Sequence, residues 1–529
     1  MERLKPQYPW LRNRGYLHIT NQLDLARDKK KILEMIQNKD FVAKYAFFPL
    51  IHAIIKERRF KRSSELPEQG KSHSYKRNDG TVRSNAKNRP LHYATHLDAA
   101  IFGHYSEIIL GKYEAYLKSI TGLADCVTAY RRIPTGIDNK NKSTIHFAND
   151  AFNEIKERSL QQECVALKFD IRNFFNEIDH DILKSQWAEI LGETRLPNDH
   201  YNVFKAVTRF SYVMRDDFRI DKKHYGRRSG FDERKLARLR KKRIHAFFES
   251  PKEFRDAVKS GDLKLHRFPF RKNGKPVGFP QGLPISATLA NLYLLKFDEN
   301  ILTDIVNRYE AFYRRYSDDI IVLCKPEDAH FIENYMYDAI QNFNVDISRE
   351  KTEKFLFTWR PLNNGERVLV SCKMEEDKPL RIGYPFTYLG FEFHGSKTLI
   401  KSANLAKFYR RMIISTKTKA RRAVQAAKKT PGQPLKIYRN QLYRLYARYP
   451  LSADKLRTKS KFWAQNDMGE YYFQTKRRPA KHSSNYLSYA HRASQIMDEP
   501  AILKQINKHK RILFQAMSKH LKRQVERNT

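Results

Sequence analysis

Two adjacent acids sit within a short stretch rich in aromatic and aliphatic residues. Residues 310–325 read EAFYRRYSDDIIVLCK, with Asp318 and Asp319 between an aromatic run and a β-branched one. Such flanks around a short polar turn predict strand, tight turn, strand. An Asp-bearing turn is ordinary in itself. Here the flanks put the pair at the tip of a rigid, half-buried hairpin, where neighbouring carboxylates repel. A divalent cation relieves that repulsion, and hard Mg²⁺ prefers oxygen ligands.

A further acid ends the short apolar run 163–170 (ECVALKFD). The run is too short for a buried helix, so a strand is expected, with Asp170 at its carboxyl end. A third piece is the loop 278–286 (GFPQGLPIS), followed by the apolar helical run 287–293. Glycine permits close backbone approach, and a Gly-rich loop opening a helix suits a nucleotide. Two ions held by Asp170, Asp318 and Asp319 would activate an attacking 3′-hydroxyl and stabilise a leaving pyrophosphate.

In this order the three pieces resemble reverse transcriptases. Asp170 matches the family's motif A, Phe279-Pro280-Gln281-Gly282 through Ser286 and Asn291 match motif B, and Tyr316-Ser317-Asp318-Asp319 matches the YxDD box. Arg349–Glu353 is similar to the lysine-bearing motif D, and Tyr388-Leu389-Gly390-Phe391 to the primer grip. The resemblance covers about 160–395 well and about 89–160 weakly. It implies an α+β right-hand polymerase. Residues 1–160 would be an N-terminal helical region and fingers. Residues 161–395 would be a palm whose antiparallel sheet carries the YSDD hairpin, with a basic insertion at about 205–270. Residues 396–529 would be a helical thumb with a helical basic extension.

The resemblance also implies roles. Asp170, Asp318 and Asp319 would bind two Mg²⁺ ions (Mn²⁺ being the alternative), with the Ile171 carbonyl as an extra ligand. Gln281 and Gly282 would line the nucleotide pocket, and Arg89 would clamp the triphosphate. Lys351 would sit near the departing phosphates; the plainer reading is a solvated lysine. Tyr388, Leu389 and Gly390 would contact primer and template. Phe175, five residues after Asp170, stands where the family places an aromatic gate against the sugar C2′. That position implies dNTP use and a DNA product, against the plainer reading of a core phenylalanine.

Composition points the same way. The 529 residues carry 101 Lys+Arg against 58 Asp+Glu, a net charge of +43, which calls for a polyanionic partner. A 41% hydrophobic content excludes wholesale disorder. The four cysteines are far apart, with no CxxC pair, so zinc modules and disulfide scaffolds are not expected and a reducing compartment fits. The start MERLKPQYPW has no apolar signal region, and no stretch approaches the roughly 20 apolar residues of a membrane span. A soluble, cytoplasmic protein is expected.

Along the chain, 1–57 reads as largely helical, including Asp24–Gln37 and Asp40–Ile55. Residues 58–90 read as a loop or long hairpin turning at Asn78-Asp79-Gly80, and 91–160 as mostly helical. The run Arg227–Arg243 reads as a basic helix, 385–394 as a hairpin bending near Gly390, and everything after Lys401 as helical and basic. Residues 401–453 hold no acid, and Tyr438, Tyr443, Tyr446 and Tyr449 lie among arginines, a pattern suited equally to a helix core with a basic outer face and to stacking on the bases of a structured RNA.

No Cys/His nuclease module, Val-Thr-Gly thumb signature, ribonuclease H or protease is visible. The stretches Tyr130–Pro134 and Ser143–Ala148 are similar to those of bacterial defence-associated reverse transcriptases of the "unknown group" and abortive-infection type. That similarity implies anti-phage defence, a dedicated noncoding RNA and frequently a homo-oligomer. Template-independent or protein-primed DNA synthesis on the same fold is the alternative, with 29 tyrosines as candidate hydroxyls. A catalytically silent RNA-binding scaffold is opposed by the intact acid triad.

Overall fold

A computed structural model describes the chain except residues 1–7, 64, 78, 137–139, 221–229, 376–377, 430–434, 436, 438, 449–456, 466–467, 469, 480–483 and 528–529. Asn78, Arg227, Arg228, Tyr438 and Tyr449 therefore lie outside the described residues. The architecture is α+β, in two compact units. One comprises 1–131, 168–322 and 330–352; the other comprises 132–167, 323–329 and 353–529.

In the first unit the helical expectation for Asp40–Ile55 holds only to Lys44. Helices span Lys29–Gln37 and Lys39–Lys44, the second capped by Asn38, whose Oδ1 accepts from the Phe41 amide at 2.9 Å. Pro49 disfavours helix in the residue before it, and Leu50–Glu57 is a strand. Its residues pair antiparallel with Lys87–Tyr93, from Ile51 opposite Tyr93 to Glu57 opposite Lys87, and its other edge pairs parallel with Tyr212–Met214. One edge is thus paired from Ile51 to Glu57 and the other from Leu50 to His52, ladder bonds that a helix there would leave unmade. Asp79 and Gly80 sit at the expected turn, between strands Ser74–Lys76 and Val82–Ser84.

The described residues of the segment expected to be a basic insertion are folded. Its helix Glu233–Lys241 presents Arg234, Arg238 and Arg240 to solvent and buries Leu236 and Leu239. Leu236, Phe247, Phe248, Phe254 and Leu263 pack with Ile19, Ile51 and Val213 in one apolar cluster. Each such buried side chain contributes roughly 1.5–3 kcal/mol, enough to fix the segment against the Leu50–Glu57 sheet.

In the second unit, strands Glu353–Pro361, Arg367–Met374 and Arg381–Ile382 follow one another in a sheet, and Phe386–Tyr388, Phe391–Phe393 and Thr398–Ile400 form a meander. Phe393 stacks on Phe152 of the helix Thr144–Gln161, centroids 4.7 Å apart. The carboxyl-terminal region departs from the all-helical expectation. Helices Ser402–Lys429, Asn440–Tyr446, Tyr486–Ile496 and His509–Glu526 are interrupted by a hairpin, Arg457–Gln465 with Tyr471–Pro479. Aromatic-rich runs (Phe462-Trp463 and Tyr471-Tyr472-Phe473) favour strand over helix there. All four cysteines are buried and none forms a disulfide. Among the described residues no helix is long and apolar enough to cross a membrane.

Candidate active site

The acid pair sits as expected on a hairpin of strands Phe312–Tyr316 and Asp319–Cys324, Asp318 in the turn and Asp319 opening the second strand. The turn residues are Ser317 and Asp318. Ser317 has φ +61° and Asp318 has no positive φ. Positive φ at the first position alone is the pattern of a type II′ turn, where glycine normally stands. Serine there is strained by about 1–3 kcal/mol, so its surroundings must hold it.

Asp170 ends the strand Cys164–Asp170, whose first four residues are all buried, as fits a strand covered on both faces. The sheet order runs Phe312–Tyr316, Asp319–Cys324, Cys164–Asp170. The Ile171 amide donates to the Asp318 carbonyl at 3.2 Å and the Ser348 amide to the Asp170 carbonyl at 2.9 Å. Asp170 and the acid turn are thereby tied backbone to backbone. The Lys351 ammonium donates to the Asp170 carboxylate.

The loop before the helix Ser286–Tyr293 is latched on both sides. The Phe279 amide donates to the Phe175 carbonyl at 2.9 Å, and His180 Nε2 to the Gly278 carbonyl at 2.7 Å. The His92 amide donates to the Gln281 carbonyl at 2.9 Å. Gly282 has φ +113°, and a Cβ there would lie 2.6 Å from the His92 carbonyl oxygen. Only glycine fits that contact and that backbone.

These pieces enclose one polar cavity of about 430 Å³. Asp170, Ile171, Phe175, Gln281, Gly282, Asp318, Lys351 and Arg89 all line it. Asp319 is the next residue after its Asp318 wall. Phe175 meets Phe279 edge to face at 5.7 Å, and Arg89 Nε lies 3.3 Å from Glu57 Oε2. Tyr388, Leu389 and Gly390 belong to the second unit, where Leu389 (φ +43°) and Gly390 (φ +93°) form the bend of their hairpin.

Sequence reasoning missed Lys87 and Tyr130 as cavity residues. Lys87 stands two before Arg89 on the same strand, the period that returns side chains to one face, and that signal was available. Its ammonium is held below its usual range by burial, then by Arg89, Arg59 and Lys351. Tyr130 adopts φ +62°, which no pattern announces.

Among the described residues no three His, Cys, Asp or Glu side chains form a ready metal cage. Mg²⁺ does not require one: it is commonly held by one or two carboxylates, with water and substrate phosphates completing the shell. The donor set here is all oxygen, and a cationic group already rests on Asp170. The residues fit a hard dication.

Residues 230–393 match the model of the reverse transcriptase (RNA-dependent DNA polymerase) family. No curated protein matches the chain. Among solved structures it is similar to apo telomerase from Candida tropicalis, at 12% identity over 74% of this chain and 57% of that one, TM-score 0.34. It is also similar to telomerase from Candida albicans in complex with a TWJ fragment of telomeric RNA, at 8% identity over 76% of this chain and 57% of that one, TM-score 0.35. The chain spans 57% of the length of each of these two.

Proposed function

We propose that this chain, which carries a reverse transcriptase domain over residues 230–393, extends DNA on an RNA template by two-metal phosphoryl transfer at Asp170, Asp318 and Asp319. The observation that carries this reading is the cavity that gathers Asp170, Asp318, Lys351, Arg89 and the Gln281-Gly282 loop. When bound, Mg²⁺ would supply charge neutralisation at the attacking and leaving oxygens. The chain's own residues do the rest. Asp170 and Asp318, with Asp319 and the Ile171 carbonyl, would hold the cations. Lys87, Arg89 and Lys351 offset triphosphate charge, and Lys351 serves as proton donor to the leaving pyrophosphate. Phe175 excludes a 2′-hydroxyl, and Gln281-Gly282 borders the incoming nucleotide. Tyr388, Leu389 and Gly390 serve as the primer grip. In this reading 1–160 acts as fingers, 161–395 as palm and 396–529 as thumb with its extension.

The finer assignment is a cytoplasmic enzyme of bacterial anti-phage defence that works with a noncoding RNA, alone or as a homo-oligomer. The Tyr130–Pro134 and Ser143–Ala148 stretches and the net charge of +43 support it. Purified protein retaining its bound nucleic acid is given Mg²⁺ and each labelled dNTP, with and without RNase, beside an Asp318→Asn control. Incorporation that needs Asp318 and vanishes with RNase is expected. RNase-resistant product of one or two nucleotide types would replace the RNA template with template-independent synthesis, and label left on protein after nuclease would mean protein priming. No Asp318-dependent incorporation would overturn the enzyme reading.

A further inference from the structure

Beneath the acid turn lies an ion pair with no solvent access. Asp298, on the helix Leu295–Ile301, and Arg315, on the strand Phe312–Tyr316, are each 0% exposed. Arg315 Nε donates to Asp298 Oδ1 at 2.8 Å and Nη2 to Oδ2 at 2.5 Å, a two-pronged fork. The Tyr313 hydroxyl also donates to Oδ1, at 2.7 Å. A buried ion pair is a poor device for stability: apolar side chains of similar volume usually serve as well or better. What distinguishes this one is the use of the remaining guanidinium nitrogen.

Nη1 lies 3.3 Å from the Ser317 carbonyl oxygen and 3.3 Å from Asn291 Oδ1. Ser317 is the strained turn residue immediately before Asp318. Asn291 in turn donates through Nδ2 to the Ala129 carbonyl at 2.8 Å. The Arg315 carbonyl accepts from both the Thr128 amide, at 3.0 Å, and the Thr128 hydroxyl, at 3.1 Å. The next residue but one, Tyr130, donates its hydroxyl to Ser317 Oγ at 3.2 Å. Two non-glycine residues with positive φ, Tyr130 and Ser317, thus touch each other, and one guanidinium sits behind both.

We propose that the Asp298–Arg315 pair is a positioning element that holds Ser317 in its strained turn and so presets the Asp318 and Asp319 carboxylates for cation binding. Asp298 fixes the direction of the guanidinium; Nη1 donates both to the turn and to Asn291, and the Arg315 backbone carbonyl accepts from Thr128, so that the segment carrying Tyr130 is braced as well. Neither residue touches substrate. The inference rests on the polymerase reading for its consequence, though not for its geometry.

The test replaces the pair by apolar residues, Asp298→Leu with Arg315→Met, which removes the Ser317 contact without stranding a buried charge. Three quantities are read: the melting temperature, hydrogen exchange of the peptide spanning 316–320, and Mn²⁺ binding followed by water-proton relaxation without nucleotide. The folded double variant is expected to exchange the turn amides at least about tenfold faster and to bind Mn²⁺ about tenfold more weakly, the size of effect that losing a charge-assisted hydrogen bond brings. In the polymerase assay its Mg²⁺ requirement should rise while KM for dNTP holds. Adding Ser317→Gly, which relieves the positive φ, should restore part of the protection. A folded double variant with wild-type exchange and Mn²⁺ binding overturns the proposal. If the double variant does not fold, Arg315→Lys, which keeps the charge but loses the fork, is read the same way and decides it. Altered exchange together with a wild type that incorporates no dNTP would refute the polymerase reading and leave the positioning role standing.

Discussion

Lys351 lays its ammonium on the carboxylate of Asp170, joining two residues 181 positions apart in the chain. The lysine is 59% exposed and the aspartate 28%, so the pair is wet and readily exchanged. A cation entering at Asp170 must displace that ammonium. Lys351→Met is therefore expected to lower the Mg²⁺ concentration for half-maximal rate by a few-fold. At the same time kcat should drop about 10²-fold, the usual contribution of a positioned proton donor. A magnesium titration of steady-state incorporation checks both. An unchanged magnesium midpoint would mean that the contact does not gate the carboxylate.

Phe175 lines the cavity while its carbonyl accepts from the Phe279 amide. Phe175→Ala keeps the latch, which is backbone, and removes the ring. Discrimination between dCTP and CTP in single-nucleotide insertion should fall by about 10²-fold or more, since contact with one extra group is worth that much where the pocket rejects it sterically. Intact discrimination would make Phe175 a packing residue.

Two glycines separate strain from collision. Gly282 and Gly261 both have positive φ, +113° and +84°, but only a Cβ at Gly282 has a backbone atom in its way. Gly261→Ala should lose about 1 kcal/mol of stability and no activity. Gly282→Ala must push the strand Lys87–Tyr93 aside, and misplacement of about 1 Å near the chemistry costs about 10²-fold in rate. Equal behaviour of the two variants, in melting and in kcat/KM, would remove the close approach from the account.

Burial pushes His18 and His92 down to about 3 and His96 to about 4. Below pH 6.5 the unfolded chain takes up protons at these sites and the folded chain does not. Their stabilisation is thus full above pH 6.5 and lost as pH falls toward 3, at roughly 1.4 kcal/mol per pH unit for each. Asp98 opposes them. Burial raises its carboxyl to about 6, so its protonation favours the folded state as pH falls from 6 to 3.8. Three groups outweigh one, and the melting temperature should fall between pH 7 and pH 5. A flat or rising profile would contradict the burial of these imidazoles.

Much of the site could be read from residue order. The acid hairpin, the strand ending at Asp170 and the loop before Ser286–Tyr293 each rest on short-range pattern, and local sequence fixes such elements directly. The strand Leu50–Glu57 was not legible. Its LIHAIIKE pattern suits helix or strand, and its partners, Lys87–Tyr93 and Tyr212–Met214, are distant in the chain. The hairpin of Arg457–Gln465 with Tyr471–Pro479 was hidden by basic residues that suggest a continuing helix face, although its aromatic-rich runs favoured strand. The Asp298–Arg315 pair was beyond sequence reasoning, because nothing local says that a charge on a helix and a charge on a strand will both lose all contact with water.

The division into two units has a consequence for synthesis on the ribosome. The chain leaves the first unit and returns to it twice, completing it at residue 352, so neither unit is one uninterrupted stretch. The cavity residues all belong to the unit finished first. During translation the emerging 132–167 must wait, its own unit unfinished, until residues 353–529 leave the exit tunnel. A chain truncated after 352 would hold every cavity residue yet leave the apolar side of Thr144–Gln161 uncovered, a surface that invites chaperones or aggregation. Splitting this protein for structural or genetic work therefore calls for co-expressed fragments rather than isolated halves.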